Sequence, residues 1–452
     1  MTLSSYSWVV FVTFACVFFG GTVFASDLAY FTGVNDEYDL KRFLVLGFIW
    51  LASLGACFVK NIESFTFSRV TIAVGLIFGI LAIVSASFGL HPFWSMVELA
   101  NFGLLAVAFY LFAICAKSMN RTALYSAIYA GALLFSIMTL AKYMLFLFFS
   151  YADSQSFDIH GLLSGYVNVR FFNQLQVMVI PLLLLAVFTE SLAGFKRVTV
   201  AIVAMHWMVL LQTEARGAML SLTFMAALLW LFVDINARKR LMLTLFQTLF
   251  LGICLWLVFI ILIPYWLMET TTFQMRTGSS GRLDLWLYVL HAMPESLWLG
   301  FGPMSFTWAE GKPLPHAHPH NSIMQLLYEY GVISAMVCIT WAGRSIYKRL
   351  RYLQQTMDLT LIPTVYALLS GLCYSLFSGV VVMPFAQLLL VFVIAMQIQG
   401  NTFQFYKVGI WIKIILFLVV SVMTLVLMTS YKHEELLPAL FPRMWVSGLI
   451  SY

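Results

Sequence analysis

The sequence contains few charged residues for its length. Only 10% of its 452 residues are charged, whereas 62% are hydrophobic and the mean hydropathy is +0.93. Soluble domains carry about a quarter charged residues, so a water-facing globule of this size is excluded. The same composition excludes a disordered chain, a collagen and a disulfide-rich secreted module. What remains is an integral membrane protein with many spans.

Paired cysteines are also lacking. The six cysteines all lie within apolar runs, and none belongs to a CxxC pair. The sequence therefore indicates neither a metal site nor a disulfide framework, and such cysteines usually pack as small apolar residues. The net charge of +6 comes from short basic clusters between apolar runs, so it indicates membrane topology rather than nucleic-acid binding.

Apolar runs long enough to span a membrane recur along the whole chain. A spanning helix needs about 20 such residues, and we find about 13 runs by this rule, with an error of one or two. They lie near residues 6–26, 43–59, 70–90, 96–116, 122–149, 174–192, 198–212, 217–233, 242–265, 323–342, 359–378, 380–399 and 409–429. The predicted fold is an all-α polytopic membrane protein with about 12–13 transmembrane helices. It divides into an N-terminal helix bundle (1–265), a periplasmic loop (266–322) and C-terminal transmembrane helices (323–452).

The positions of lysine and arginine predict the orientation of these spans. Alternate short loops are basic, at 60–69, 117–121, 196–197, 238–240, 344–351 and 407, which places them and the N-terminus in the cytoplasm. The loops near 27–41, 151–173, 213–216 and 266–322 then face outward. Apolar residues at helical spacing between Gly281 and Leu299 predict a short amphipathic helix that lies on the membrane or over a cavity.

A cluster of histidines closes the longest outward loop. Residues 315–321 read Pro-His-Ala-His-Pro-His-Asn, which places three of the eight histidines within five residues. Because imidazole titrates near physiological pH, His318 and His320 are candidates for acid–base catalysis, and Asn321 beside them for substrate contact. Two other interpretations are a zinc site, which lacks nearby cysteines and has few carboxylates to complete it, and a solvated polar cap.

Two arginines are candidates for phosphate binding, since guanidinium binds phosphate oxygens bidentately. Arg216 follows an apolar run on the predicted outer side, where it breaks the positive-inside pattern. Arg282 lies near the start of the predicted loop helix, where the helix dipole favours anions. The alternatives are an interfacial Arg216 paired with Glu214 and a surface Arg282 beside Asp284.

Two further residues complete the set of candidates, and a third is expected to be structural. Arg170, at the end of the 151–173 loop, is expected to line the same outer cavity. Glu329 follows His320 by about two and a half helical turns and either faces that cavity or packs between helices. His206, inside an apolar run, is expected to be a satisfied contact between helices.

Several of these elements recur together in a known family. They are the Arg-Gly-Ala step at 216–218, the Gly-Arg pair at 281–282, the Gly-Phe-Gly turn at 300–302, and His-Pro-His-Asn at 318–321 leading into Glu-Tyr-Gly at 329–331. In this combination the sequence resembles the bacterial O-antigen ligase and polymerase superfamily, and it is most like the ligase branch. The resemblance is strongest over about 210–335, and elsewhere it lies in the layout of the spans.

The resemblance implies a glycosyltransferase in the bacterial inner membrane whose active site faces the periplasm. The donor would be a glycan on undecaprenyl pyrophosphate, with the pyrophosphate bound by Arg216 and Arg282. His320, with His318 nearby, would act as general base or as a donor that holds the reacting groups. By the same similarity the reaction needs no metal and no cofactor, and its partners are lipid-linked glycans and membrane lipid.

The acceptor separates the branches of this superfamily. Ligases use a lipid A–core sugar, polymerases another lipid-linked repeat unit, and the O-oligosaccharyltransferase branch Ser or Thr of a protein. We predict a ligase and keep the other two as alternatives. A transporter of lipid-linked substrates is less favoured, because a carrier should place its charges near mid-membrane.

Overall fold

A computed structural model describes residues 1–32, 34, 37–155, 166, 169–269, 281–398 and 405–430. Of the candidate residues, all seven lie within these ranges: Arg170, Arg216, Arg282, His318, His320, Asn321 and Glu329. Residues 156–165, 167–168 and 270–280 of the predicted outward loops at 151–173 and 266–322 lie outside the described residues, as does the C-terminal stretch from 431.

The described chain is built from helices, as the apolar runs predict. In chain order they are α1 (Leu3–Val23), α2 (Ala25–Thr32), α3 (Glu37–Cys57), α4 (Arg69–Phe88), α5 (Pro92–Ser118), α6 (Arg121–Ala152), α7 (Val169–Leu183), α8 (Leu185–Phe188), α9 (Lys196–Gln212), α10 (Arg216–Trp230), α11 (Ile235–Trp256), α12 (Ile263–Met268), α13 (Arg282–Ala292), α14 (Ser322–Thr356), α15 (Ile362–Tyr374), α16 (Pro384–Met396) and α17 (Ile410–Thr429). Two short strands, β1 (Glu63–Phe65) and β2 (Phe405–Lys407), pair antiparallel.

Ten helices in the described ranges are long and apolar enough to cross a membrane. Three shorter apolar helices, Arg216–Trp230, Leu359–Tyr374 and Pro384–Met396, account for the remaining apolar runs. The all-α polytopic fold is therefore confirmed. That the shorter helices also cross the membrane stays a prediction.

The helix at 169–188 forms the centre of the bundle. Its span is buried along its whole length, and it packs against α6, α9, α10, α15 and α16. Pro181 lies near the point where α7 gives way to α8, as expected of a residue that lacks a backbone N–H. The C-terminal helices α15, α16 and α17 pack on α7, α5 and α3, so the first and third parts of the predicted division are interleaved. That division itself stays a prediction.

The loops gather at two ends of the bundle. At one end β1 pairs with β2, the Met1 amino group donates to the Phe58 carbonyl (3.2 Å), and Arg121 pairs with Asp358 (2.5 Å). We call this the basic end, because the loops predicted to be cytoplasmic meet here. The segments 88–92, 212–216, 281–321 and 375–383 meet at the opposite end, which we call the site end.

A break in α14 fixes the loop of the site end to the bundle. Gly331 has φ +74°, outside the helical range, and the backbone groups around it bond to the loop instead of to the helix. Phe301 N donates to Tyr328 O (2.9 Å), and Val332 N donates to Leu297 O (2.9 Å). A side chain on Gly300 would lie 2.6 Å from backbone atoms of this break, so this close approach requires glycine.

The amphipathic helix predicted at 281–299 is present as α13, which is followed by a 3₁₀ turn at Met293–Ser296. Its buried residues are Leu285 and Val289, which pack into a small core with Phe306, Ala309 and Tyr328. The apolar stripe predicted from the sequence is instead largely exposed, at Leu283, Leu287 and Leu290. An exposed stripe suits a helix that lies on a membrane, and contact with lipid stays a prediction.

Candidate active site

Three arginines at the site end occupy the starts of three helices. Arg170 is the second residue of α7, Arg216 the first of α10, and Arg282 the first of α13. The starts of α10 and α13 follow turns with positive φ, at Glu214 (+47°) and Gly281 (+70°). The positive end of the helix dipole at such a start favours an anion.

The three arginines lie close to one another although they are distant in sequence. Arg170 Nη1 donates to the backbone carbonyl of Glu214 (2.9 Å), two residues before Arg216. Arg216 is close enough to Arg282 to interact with it electrostatically. Tyr374, at the end of α15, is close enough to interact electrostatically with both Arg170 and Arg282.

This crowding of cations is electrostatically unfavourable in the absence of an anion. Burial lowers the pKa of the Arg282 guanidinium, Tyr374 opposes that shift, and Arg216 lowers the pKa further. The group stays charged at neutral pH, since an arginine titrates only above about pH 12. Like charges held together in this way have the chemistry to bind a polyvalent anion.

The three histidines of the loop lie ring against ring. The His318 and His320 ring centroids are 4.2 Å apart, and those of His316 and His320 are 4.7 Å apart. The backbone N–H of His320 donates to His318 Nδ1 (3.2 Å). Among the residues that the structure describes, no group of three His, Cys, Asp or Glu side chains is arranged to hold a metal ion.

The environment of His316 and His320 favours the neutral imidazole. The pKa of His320 lies well below its usual value, because of burial first and then of the nearby His316 and Arg282. Burial, Lys312 and Arg282 lower the pKa of His316 to about 4. A neutral His320 near Arg282 is able to accept a proton at physiological pH.

Several contacts hold the histidine segment in place. Trp286 Nε1 of α13 donates to the Pro319 carbonyl (2.9 Å). His318 is buried against Gly379, where a Cβ would lie 2.5 Å from His318 Cε1. His320 itself has φ +54°, a left-handed conformation that a non-glycine residue adopts at a cost. The loop thus holds His320 in an unfavourable backbone conformation near Arg282.

Asn321 and Glu329 have structural contacts that the sequence did not predict. The Asn321 side chain caps α14, since its Oδ1 accepts from Ile323 N (2.9 Å) and Met324 N (3.1 Å). Glu329 is fully buried and accepts a hydrogen bond from Gln325 (3.2 Å). It lies about 10 Å along the helix axis from the start of α14, and its proposed contact with the substrate stays a prediction.

The segment 374–379 is the part of the site that sequence reasoning missed. Besides Tyr374, it carries Ser375, whose hydroxyl bonds to Ser322 Oγ (2.8 Å), and Ser378, which accepts from Gln174 Nε2 (2.9 Å). The segment therefore joins α15 to the start of α14 and to the central helix. Its sequence signal is only a Tyr-Ser and a Ser-Gly pair at a break between two apolar runs.

A buried polar network continues from the site into the bundle. Asn173 Nδ2 donates to Gln176 Oε1 (2.8 Å), and Gln176 Nε2 lies 3.0 Å from His206 Nδ1. The other ring nitrogen of His206 bonds to Ser136 Oγ (2.9 Å). The prediction that His206 is a satisfied contact between helices is confirmed.

A second group of buried charges, also missed, lies at the start of α3. Arg42 pairs with Asp39 (3.2 Å), and Lys41 Nζ lies 4.4 Å from the centroid of the Tyr166 ring. All three charged side chains are buried. The sequence placed them at the edge of an apolar run, where no pattern distinguishes a buried cation from a loop cation.

Residues 199–339 match the family model described as O-Antigen ligase. The matched region runs from α9 into α14 and contains Arg216, Arg282 and the histidine segment. The match confirms the resemblance to the O-antigen ligase superfamily that these residues indicated. None of the curated proteins matches the chain. Arg170 and the 374–379 segment lie outside the matched residues.

Proposed function

We propose that this protein transfers a glycan from undecaprenyl pyrophosphate to a lipid A–core sugar at the outer face of the bacterial inner membrane. The O-antigen ligase domain supports glycosyl transfer as the class of reaction. The single observation that carries the finer proposal is the convergence of three arginine-bearing helix starts, one of which brings Arg282 close to His320.

The chemistry requires a stabilised leaving group and a proton acceptor. When a sugar hydroxyl attacks the anomeric carbon, the bond from that carbon to the phosphate oxygen breaks and pyrophosphate departs with the electron pair. Arg216 and Arg282, with Arg170 behind them, neutralise that developing charge. His320 takes the hydroxyl proton, and its lowered pKa keeps it neutral and ready to do so.

The position of the site suits a lipid-linked donor. The arginines lie at helix starts at the end of the bundle, next to an exposed apolar stripe on α13. A prenyl tail then stays in the bilayer while its pyrophosphate reaches the cations. A carrier for the same lipid needs its charged residues near mid-membrane, and this placement does not suit it.

A deletion-and-complementation experiment tests the proposal. Surface glycans are compared on a lipopolysaccharide gel for wild type, Arg216→Ala and His320→Ala at equal expression. His291→Ala is the matched control, because His291 is exposed on α13 and bonds to the Leu287 carbonyl outside the cluster. We expect bare core and accumulated lipid-linked polymer in the deletion strain, with rescue by wild type and His291→Ala alone.

Other outcomes identify the alternatives. Core that bears a single repeat unit would assign the protein to the polymerase branch. Unchanged lipopolysaccharide together with lost glycosylation of a protein would assign it to the O-oligosaccharyltransferase branch. Full rescue by both Arg216→Ala and His320→Ala would contradict the assigned site in every branch.

A further inference from the structure

The basic end contains a pocket that the proposed reaction does not use. Its volume is about 590 Å³, and four cations line it in two adjacent pairs. Lys196 and Arg197 come from the start of α9, and Lys239 and Arg240 from the first turns of α11. All four side chains are exposed. The two helices pack tightly below the pocket, where Gly252 leaves no room for a side chain against Trp207.

Within the described part of the chain, no acidic residue lines this pocket. The acidic residues closest in sequence are Glu190 and Asp234, and the Asp234 carboxylate caps α11 by accepting from Ala237 N (2.6 Å). The neighbouring Arg238 is also engaged elsewhere, since it donates to the Val233 carbonyl and lies over the Trp230 ring. The four lining cations are therefore not neutralised by the protein chain described here.

The pocket opens beside the lipid-facing surface of the bundle. Val200 and Leu243 form part of its wall, and the exposed face of α11 continues away from it through Phe246 and Phe250, which are 67% and 60% exposed. Cations above an exposed aromatic face suit a ligand with an anionic head and an apolar tail.

The distance to the candidate active site is about the length of α9. That helix begins at Lys196 and ends at Gln212, just before Arg216. Its 17 residues span about 25 Å. The pocket is thus separate from the site, at the other end of the bundle.

We propose that this pocket binds the paired phosphates of an anionic phospholipid of the cardiolipin type, with the acyl chains along the exposed face of α11. One phosphate lies between the cations of α9 and the other between those of α11. The proposal is independent of the reaction at the site end.

General attraction between basic loops and an anionic leaflet is the competing account, because cytoplasmic loops are commonly basic. The two accounts make different predictions about which cations matter for binding. Leaflet attraction depends on the number of charges alone, whereas a binding pocket depends on which charges line it. Arg344 and Lys348 provide the comparison, since both are exposed on the C-terminal part of α14 and neither lines the pocket.

The test measures binding of tetraoleoyl cardiolipin to the purified full-length protein in detergent by native mass spectrometry. The pocket variants are Lys239→Gln with Arg240→Gln and, on the other helix, Lys196→Gln with Arg197→Gln. The matched control, Arg344→Gln with Lys348→Gln, removes the same charge. We expect each pocket variant to weaken binding on the order of 30-fold and the control less than about twofold.

Further measurements keep the result interpretable. Thermal unfolding without added lipid should give the same midpoint for all variants, which separates lost binding from lost folding. Equal weakening in pocket and control variants would overturn the proposal in favour of leaflet attraction, and so would no weakening in any. Complete displacement by equimolar inorganic pyrophosphate would assign the pocket to a soluble ligand, and equally tight binding of phosphatidylglycerol would contradict the requirement for two phosphates.

Discussion

The two ends of the bundle both concentrate positive charge, but they do so in different ways. At the basic end, Lys196, Arg197, Lys239 and Arg240 come from loop boundaries and are exposed to solvent. At the site end, the arginines come from three helix starts far apart in sequence, and Arg282 is crowded enough for burial and Arg216 to lower its pKa. Among the described residues, only the site end brings histidines into the same group as its cations.

This difference shows how cations that set the orientation of a membrane protein can be distinguished from cations that bind a ligand. Exposed cations at one end cost the fold little and are explained by orientation or by lipid. Cations brought together against their mutual repulsion lower stability and are expected where a ligand compensates. Substitutions at the site end should therefore strongly affect glycan transfer or stability, whereas substitutions at the basic end should affect them little.

Removal of the base should have the largest effect. His320→Ala is expected to lower the rate of glycan transfer by about 10²- to 10⁴-fold, because the attacking hydroxyl loses its proton acceptor. The rate is measured with purified protein and lipid-linked donor, and His291→Ala serves as the control. A His320→Ala enzyme that retains wild-type turnover would remove His320 from the mechanism.

Removal of one phosphate-binding arginine should come next. Arg216→Ala or Arg282→Ala is expected to slow transfer by about 10²- to 10³-fold through loss of leaving-group stabilisation. The lysine variants should recover only part of the rate, since an ammonium group cannot bind two oxygens in the same geometry. Arg344→Ala, an exposed residue outside the site, is the control, and an equal loss there would contradict the comparison between the ends.

The break in α14 should be sensitive to a single methyl group. Gly331→Ala adds a Cβ that meets the Trp298 backbone, at a residue with φ +74°, so we expect a loss of about 1–3 kcal/mol in stability. Gly343→Ala in the same helix meets no atom within 4 Å and should be neutral. Thermal unfolding of the two purified variants checks this, and equal midpoints would show that the loop is not held by the break.

The pH dependence should report the coupling between Arg282 and His320. A lowered His320 pKa keeps the base neutral as pH falls, so activity should persist below about pH 6.5 before protonation ends it. Arg282→Gln removes a positive charge that lowers this pKa. The fall in the residual activity of this variant at acidic pH should therefore begin at a higher pH than in the wild type. If the acidic fall in activity occurs at the same pH or at a lower pH, the predicted coupling between Arg282 and His320 is wrong.

The smallest expected effect is at Asn321. Asn321→Ala should cost about 1 kcal/mol through the lost helix cap, whereas Asn321→Asp keeps a capping oxygen for Ile323 N and Met324 N. If capping is its main role, Asn321→Asp should retain most of the transfer activity. A severe loss of donor binding in this variant at unchanged stability would instead support the predicted contact with the substrate.

Much of the fold was readable from the sequence because the bilayer restricts the options. Every predicted apolar run corresponds to an apolar helix, since backbone groups in lipid must be satisfied within the segment. The loop helix was also predictable, but its buried side was not. Leu285 and Val289 face a core built from Phe306 and Tyr328, and that core forms only after distant segments meet.

The sequence predicted the site residues that are unusual for their position in a membrane protein, and it did not predict those of types common in apolar helices. Arg216 breaks the expected charge pattern, Arg282 lies near the start of the predicted loop helix, and the histidines are clustered, so these residues stand out in a single sequence. Tyr374 and Gly379 are common in apolar helices and acquire a role only through contact with Arg282 and His318. Asn321 is a candidate for substrate contact because it lies beside the histidines, yet its side-chain oxygen caps a helix.

The central claim is that the arginines of the site end bind the pyrophosphate of a lipid-linked donor. Its most direct test is equilibrium binding of undecaprenyl pyrophosphate to the full-length protein in nanodiscs of neutral lipid. We predict that Arg216→Gln with Arg282→Gln weakens binding at least about 30-fold, whereas Lys239→Gln with Arg240→Gln at the basic end leaves it unchanged. Undiminished binding by the site-end variant, or an equal loss in both variants, would contradict the account.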